Sequence, residues 1–310
     1  MKENKKFLDI EDRKKTFDTI RKRLDLIAVG FRAIYADYSH HIQIVSGESE
    51  ISKLKDNIDF RFFASQFHLE LILRQHYTIE NRVEEIYQKE PDKVLNYVYP
   101  SHPLVDHCEN EITAIFDSII FHLASIYDYL SAIVNFIINK KDQSITKWSQ
   151  LTKACRDTSN MYSKKSISKI IIEEDKKFVN KLYQYRSRVI HEKSERSAGS
   201  ISIKLASGKT NACFIASPSL TKKFSELKEM SNNFNLTVNY VTDWLINNTI
   251  DSIAKILLGL KIEIESVSTY PNHIKDDDII IFYMDPETKI GYPASKPLWA
   301  EFLKGLNIKE

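Results

Sequence analysis

The chain has few of the residues that interrupt regular structure, since its 310 residues include only seven glycines and eight prolines. Long segments instead carry apolar residues at spacings of three and four, the period of an amphipathic helix. With 43% hydrophobic residues, the chain has ample material for a packed core. These features predict a mainly α protein, built as a helical bundle.

Cysteine is also scarce in this chain. Cys108, Cys155 and Cys213 are far apart and odd in number, which argues against a disulfide framework and fits a reducing compartment. We interpret them as small buried residues. The charged first residues are followed by no apolar run, so we expect no secretory signal and a cytoplasmic protein.

The chain lacks a strong excess of charge of either sign. Its 44 lysines and arginines and its 42 aspartates and glutamates leave a net charge of +2. Composition alone therefore does not mark it as a nucleic-acid-binding protein, and any basic surface has to be local.

One long apolar run, residues 114–138, has the length of a membrane span. Asp117, His122 and Asp128 interrupt it, and ionisable groups in mid-membrane are costly. A helix that is apolar nearly all round is equally what a central bundle helix or a subunit interface requires. We therefore predict a buried helix of a soluble protein and no membrane partner.

Apolar periodicity predicts helices at residues 10–38, 57–87, 103–140, 148–154, 171–191 and 219–260, the last with a break near 232–233. Alternating segments on both sides of residues 207–211 predict a small β-hairpin appendage. Beyond residue 265 the pattern dissolves into an irregular C-terminal tail with one candidate strand at 279–283.

These elements predict three regions along the chain. Residues 1–100 form N-terminal helices that pack on the bundle, and residues 101–262 form a helical core with the hairpin near 200–216. Residues 263–310 are a C-terminal extension.

The motif that suggests a reaction consists of Arg186 and His191, separated by four residues at the end of a predicted helix. Arginine is a permanently charged fork that matches phosphate oxygens two at a time, and histidine exchanges protons near neutral pH. RNA carries its own nucleophile, the 2′-hydroxyl, so metal-free cleavage needs a proton-transfer group and a cation that stabilises the phosphorane. We predict Arg186 and His191 as catalytic residues and expect no metal or cofactor.

Helix geometry places the two side chains about 140° apart and about 7.5 Å apart along the axis. Arg186 and His191 therefore do not share one face. Both residue types reach one phosphate more easily if two copies of the helix meet about a twofold axis and contribute their residues to one cleft. Dimerisation is part of the hypothesis for this reason.

An Arg, a polar residue and a His a few positions later, on the last core helix of a helical bundle, resemble the HEPN superfamily, whose signature is Arg-X4-6-His. Arg186 and His191 fit the four-residue form. The sequence Ile-Tyr-Asp-Tyr-Leu-Ser at 126–131 is similar to the central helix of bacterial HEPN domains. The family often has Asn, Asp or His directly after the arginine, where this chain has Ser187. The resemblance covers roughly residues 106–195.

The resemblance implies a homodimer whose motif helices face each other across a cleft. It implies a metal-independent endoribonuclease that leaves a 2′,3′-cyclic phosphate and a 5′-hydroxyl. The implied setting is phage defence or a toxin–antitoxin pair, with an antitoxin or another defence protein as a partner besides RNA. The superfamily also contains non-catalytic members, so the alternative is a HEPN-like module that binds a partner protein, nucleotide or RNA.

Residues around the motif supply a local excess of positive charge. Five basic and two acidic residues lie between positions 181 and 196, a net charge of +3. We assign substrate contact to Ser187, Arg188, Lys193 and Tyr183, because phosphate attracts cations and unpaired bases stack on aromatic rings. Arg188 is also a rival for the role of the catalytic arginine. Tyr185 is interpreted as a core residue.

Simpler structural roles stay open for the same residues. The helix dipole favours cations near a helix C-terminus, and His191 is equally suited to capping carbonyl groups. His68 and His76 have no carboxylate at the metalloprotease position, so we interpret both as structural. Residues 207–210 lack the first glycine of a phosphate-binding loop and are interpreted as a hairpin turn. A third hypothesis, an enzyme with its site in the tail, has only the acidic residues 276–278 to support it.

Overall fold

Helices dominate the computed structural model of the chain, which describes residues 3–5, 10–43, 50–95, 103–139, 145–191, 198–270, 272, 282–284 and 291–307. The helices are α1 (Ile10–His41), α2 (Glu50–Lys89), α3 (Pro91–Leu95), α4 (Pro103–Ile138), α5 (Trp148–Arg156), α6 (Ile167–Glu174), α7 (Asn180–His191), α8 (Pro218–Thr221), α9 (Ser225–Asn233), α10 (Val238–Ser266) and α11 (Ser295–Gly305). A 3₁₀ turn at Met161–Lys164 precedes α6, and a π-helical turn at Asp175–Val179 joins α6 to α7. The mainly α prediction is confirmed.

The strands of the described residues pair two by two. β1 (Glu3–Lys5) and β4 (Phe234–Leu236) are parallel, whereas β5 (Phe282–Met284) and β6 (Gly291–Pro293) are antiparallel. β2 (Ala198–Ile203) and β3 (Thr210–Ile215) form the predicted hairpin, with Ile203 opposite Thr210. In its turn Gly208 has a φ of 67°, a left-handed conformation that glycine adopts without steric strain.

α4 is the helix, among the described residues, that is long and apolar enough to cross a membrane. In the structure 67% of its most apolar window is buried. Ile119, Leu123, Ile126 and Leu130 are fully buried. This degree of burial is what the core helix of a soluble protein shows, so the predicted buried helix is confirmed.

Two compact units divide the chain. The first comprises Met1–Ile20, Phe63–Leu123 and Lys181–Asn247, and the second comprises Arg21–Phe62, Ala124–Asn180 and Asn248–Glu310. The unit boundaries fall inside α1, α2, α4 and α10 and after the first residue of α7, so each of these helices contributes residues to both units. The three regions predicted from the sequence, with boundaries near residues 100 and 262, stay a prediction.

In the first unit, one face of α2 holds the strand β3. His76 Nδ1 lies 3.2 Å from the carbonyl oxygen of Ala212, and Glu80 accepts a 3.0 Å hydrogen bond from the N–H of Ala212. Glu84 accepts a 2.8 Å hydrogen bond from the N–H of Thr210. Four residues of helix and two residues of strand both advance about 6–7 Å, so Glu80 and Glu84 match the N–H groups of Ala212 and Thr210. The structural role predicted for His76 is confirmed.

In the second unit, a buried carboxylate connects α5 to the π-helical turn. Asp175 accepts hydrogen bonds from Trp148 Nε1 at 2.7 Å and from Arg156 at 2.5 Å. The backbone N–H of Trp148 donates to Asp128 at 3.0 Å, which fixes the start of α5. Because both oxygens of Asp175 have partners, its burial is compensated.

The C-terminal tail is more regular than the sequence pattern indicated, because it contains β5, β6 and α11. Trp299 and Phe302 of α11 are 4% and 0% exposed. Trp299 Nε1 donates a 2.6 Å hydrogen bond to the buried Asp37. A helix of 11 residues offers only about three turns, too few repeats for a clear apolar period. Of the candidate strand at 279–283, residues 279–281 lie outside the described residues.

Other boundaries differ modestly from the predicted ones. α2 begins at Glu50, before the predicted residue 57. The predicted helix at 171–191 is α6, which begins at Ile167, continued through the π-helical turn into α7. The break near residues 232–233 is confirmed, and β4 follows it directly. Cys108, Cys155 and Cys213 are free and buried, as predicted.

Candidate functional site

α7 carries both predicted catalytic residues in the first unit. The buried residues of this helix are Leu182 and Tyr185, which are 0% and 4% exposed. They anchor α7 and so determine where its other side chains point. The interpretation of Tyr185 as a core residue is confirmed.

Arg186 and His191 lie at different depths on α7. Arg186 is half-buried, whereas His191 is exposed in the last turn of the helix. The helical conformation between them holds the two side chains about 140° apart. The structure therefore places both residues on one helix and not on one face of it.

Two aromatic rings lie beside the guanidinium of Arg186. Its Cζ is 4.8 Å from the ring centroid of Phe121 on α4 and 5.8 Å from that of Tyr183 on α7. The quadrupole of an aromatic ring attracts a cation over its face. The N–H groups of a guanidinium lie in its own plane, where they suit planar or bidentate acceptors such as phosphate. The rings thus orient a charged fork in a half-buried position.

Further rings continue from Phe121 towards α2 within the first unit. The ring of Phe121 lies 5.6 Å from that of His122, which stacks on His68 at 5.2 Å with an interplanar angle of 27°. His68 lies 5.8 Å from Phe67, and Phe67 lies 6.5 Å from Phe63. We call this set the aromatic row; in order, its members are Tyr183, Arg186, Phe121, His122, His68, Phe67 and Phe63.

The three phenylalanines of the aromatic row are exposed to solvent. Phe63, Phe67 and Phe121 are 62%, 44% and 38% exposed. Single exposed apolar residues are ordinary on protein surfaces, but rings in contact with one another form a patch, and such patches mark interaction sites. The apolar period of α2 predicts a helix and does not say which phenylalanines reach solvent, so sequence reasoning missed this surface.

His68 has a defined tautomer in the aromatic row. Its Nδ1 lies 2.7 Å from the carbonyl oxygen of Ala64, which only accepts hydrogen bonds. Nδ1 therefore carries a proton and donates it, and in the neutral ring Nε2 is the acceptor. The bond fixes the orientation of the imidazole on its own helix. His68 is thus held structurally, as predicted, and also belongs to a surface that the sequence did not reveal.

The predicted substrate-contact residues are distributed around Arg186. Tyr183 is half-buried beside the guanidinium. Ser187 is exposed, and Arg188 is half-buried. Lys193 lies outside the described residues. The structure therefore brings Tyr183 together with Arg186, and the roles of Ser187, Arg188 and Lys193 stay predictions.

Comparisons with known proteins leave the interpretation to the geometry of the site. The chain matches no protein-family model, no curated protein and no solved structure.

Proposed function

We propose that this protein is a metal-independent endoribonuclease of the HEPN type, which acts as a homodimer in the cytoplasm. Its substrate is single-stranded or loop RNA, and its catalytic residues are Arg186 and His191. The observation that carries the proposal is that the guanidinium of Arg186 lies over the ring of Phe121. Arg186 also shares α7 with the exposed His191.

The chemistry of this proposal is an internal transesterification. The ribose 2′-oxygen loses its proton and attacks the adjacent phosphorus, and a five-coordinate phosphorane forms. The bond from phosphorus to the 5′-oxygen then breaks, and that oxygen takes up a proton, so no other reactant is consumed. His191 transfers one of these protons as a general acid or base, and Arg186 stabilises the negative oxygens of the phosphorane. The products end in a 2′,3′-cyclic phosphate and a 5′-hydroxyl.

The angle between the two side chains supports a homodimer as the active form. A separation of about 140° on α7 makes it difficult for one copy to direct both groups at one phosphate. Two copies of α7 related by a twofold axis supply two arginines and two histidines to a shared cleft.

The residues near Arg186 are proposed to bind the RNA. Arg188 and Lys193 attract the phosphate backbone, Ser187 offers a hydroxyl to a phosphate oxygen, and Tyr183 offers its ring to a base. Arg188→Ala is expected to raise KM several-fold with little change in kcat, because phosphate contacts away from the reacting atoms stabilise substrate and transition state alike. A collapse of kcat in this variant would instead make Arg188 the catalytic arginine.

The proposed setting is defence against phage or a toxin–antitoxin pair. An enzyme that cuts cellular RNA without a cofactor has to be restrained until it is needed. An antitoxin or another protein of the defence system is therefore the partner we expect besides RNA and the second protomer.

The decisive experiment incubates purified wild-type protein with single-stranded RNA in the presence of EDTA, beside Arg186→Ala and His191→Ala. Both substitutions are expected to lower the cleavage rate by about a hundredfold or more, since each removes a group that acts on the transition state. His107→Ala is the matched control, because His107 is also an exposed helical histidine of the first unit.

Circular dichroism and size-exclusion chromatography of the variants separate loss of chemistry from loss of fold or dimer. Wild-type cleavage rates in both Arg186→Ala and His191→Ala would refute the assignment. RNA binding without cleavage by the wild type would identify the protein as a non-catalytic binding module.

A further inference from the structure

We propose that the aromatic row is a platform on which unpaired bases of single-stranded RNA stack, beside the phosphate that Arg186 holds. The inference rests on the proposed function and names the substrate-binding surface of the same site. It assigns a role to residues of α2 and α4 that lie outside the Arg and His motif.

Exposure is the first argument for a ligand on this surface. Phe63, Phe67 and Phe121 keep between 38% and 62% of their surface in contact with solvent. Solvating these rings gives up the free energy that burying a phenylalanine normally supplies. The rings also touch their neighbours in the row through His68 and His122, so together they present a continuous aromatic surface and not scattered side chains.

Charge is the second argument, and it favours RNA over another protein. Arg186 gives the aromatic row a permanent positive charge. That charge is complementary to a phosphate backbone, and the neighbouring rings offer faces to bases. Proteins that bind single strands combine these two features, because every base has a face that stacks and every nucleotide has a phosphate.

Continuity with Arg186 is the third argument. The row begins at the guanidinium proposed to hold the scissile phosphate and continues over α4 to α2. A strand whose phosphate lies at Arg186 can therefore place neighbouring bases on Phe121 and, further along, on Phe67 and Phe63. Stacked bases are unpaired bases, so the platform selects single strands and loops over duplex RNA.

The test separates stacking from charge by using two oligonucleotides of equal length. Both are single-stranded and 2′-O-methylated, so they lack the nucleophile and stay intact, and one of them carries abasic sites in place of its central bases. Binding is measured by fluorescence anisotropy with EDTA present. Wild-type protein is expected to bind the complete oligonucleotide roughly tenfold more tightly than the abasic one, as stacking of a base on an aromatic ring predicts.

Substitutions in the row then assign this preference to its rings. Phe67→Leu and Phe63→Leu keep an apolar side chain and lose the ring, so each is expected to remove most of the preference for bases. Phe67→Trp keeps a ring and is expected to preserve it. Tyr77→Ala is the matched control, because Tyr77 is another exposed aromatic residue of α2, 52% exposed, and is outside the row.

Two results would overturn the platform. The first is equal affinity of the wild type for both oligonucleotides. The second is an unchanged preference for bases in the leucine variants; if analytical ultracentrifugation also shows a change of oligomeric state in those variants, the row is an interface with a second copy of the chain.

Cleavage of unmodified RNA is measured in parallel and judges the proposed function separately. One possible result is that cleavage depends on Arg186 and His191 while the row has no role in the preference for bases. This result would support the nuclease proposal and refute the platform. A base preference that depends on Phe67, without cleavage by the wild type, would leave the platform standing and remove the nuclease.

Discussion

At the scale of single residues, neighbouring aromatic rings orient the guanidinium of Arg186. Phe121 lies 4.8 Å from the guanidinium carbon. Phe121→Leu removes the attraction of the ring quadrupole for the cation, which is worth about 0.5–1 kcal/mol at an exposed site. We expect the cleavage rate to fall about two- to fivefold, with the fold unchanged, in single-turnover assays.

Phe121→Trp is the control for this prediction, because tryptophan offers the most favourable face for a cation. Its rate is expected to be close to that of the wild type. A leucine variant that cleaves as fast as the wild type would show that the ring of Phe121 does not support Arg186 in catalysis.

Asp37 illustrates the energetic cost of a buried carboxylate in the second unit. Burial raises the pKa of Asp37 above its ordinary value of 3.8, although hydrogen bonds from Ser295 and Trp299 act in the opposite direction. The folded state therefore holds this proton more tightly than the unfolded state. Its contribution to stability is present at low pH and is lost as pH rises above 3.8 through the raised pKa.

Asp37→Asn tests this pH dependence. The amide oxygen can still accept the hydrogen bond from Trp299 Nε1, and the side chain no longer ionises. Other carboxylates affect both proteins alike, so we compare the variant with the wild type. The free energy of unfolding in urea should fall less, or rise more, between pH 4 and pH 7 in the variant than in the wild type. Parallel pH profiles would contradict the assignment.

At the scale of elements, the contact between α2 and β3 depends on paired polar groups. Glu84 accepts a hydrogen bond from the N–H of Thr210 at 2.8 Å, and the Thr210 hydroxyl donates to the backbone carbonyl oxygen of Glu80 at 2.7 Å. Glu84→Ala leaves the strand N–H without this acceptor, which costs about 1–3 kcal/mol for a buried donor and less for a part-buried one. We expect a lower free energy of unfolding and faster hydrogen exchange at the amide of Thr210.

Two controls define the origin of that effect. Glu84→Gln keeps an acceptor oxygen and should lose less stability than the alanine variant. Glu85→Ala changes a neighbouring exposed residue, paired with Arg82, and should be nearly neutral. An alanine variant at Glu84 as stable as the wild type would show that the hairpin does not need this bond.

Much of the element structure can be predicted from the chain because the period of apolar residues is a local property. α1 and α4, the hairpin and the break before β4 follow from spacing, and from the glycine and polar residues that lie between them. α11 could not be predicted, because its anchor Trp299 depends on Asp37, which is distant in sequence. The apolar period of a segment does not indicate a partner as distant in sequence as Asp37 is from Trp299.

The same distinction applies to the candidate site. Arg186 and His191 can be found from their types and spacing, and their common helix is confirmed. The aromatic row could not be found in this way, because its members come from three separate segments and only folding brings them together. Exposure of Phe63 and Phe67 is likewise a property of packing, since buried and exposed faces of one helix can both carry phenylalanine.

At the scale of the whole molecule, the proposed homodimer predicts complementation between inactive variants. In a shared site that takes Arg186 from one protomer and His191 from the other, a heterodimer of Arg186→Ala and His191→Ala retains one complete site. Random mixing should therefore restore about a quarter of wild-type activity. The measurement is the cleavage rate after co-refolding of the two variants.

The control for complementation is each variant refolded alone, which should stay inactive. Heterodimers that form, as shown by two different affinity tags, and that remain inactive would indicate that each site takes both residues from one chain.

The most direct test of the central claim uses an oligonucleotide that is DNA except for one ribonucleotide, incubated with the purified protein in EDTA. Mass spectrometry then reports the ends of any products. We predict a single cut on the 3′ side of the ribonucleotide, with a 2′,3′-cyclic phosphate on one product and a 5′-hydroxyl on the other, and no cut with His191→Ala. Cleavage at deoxyribonucleotides, or equal cleavage by the variant, would contradict attack by the 2′-hydroxyl assisted by His191.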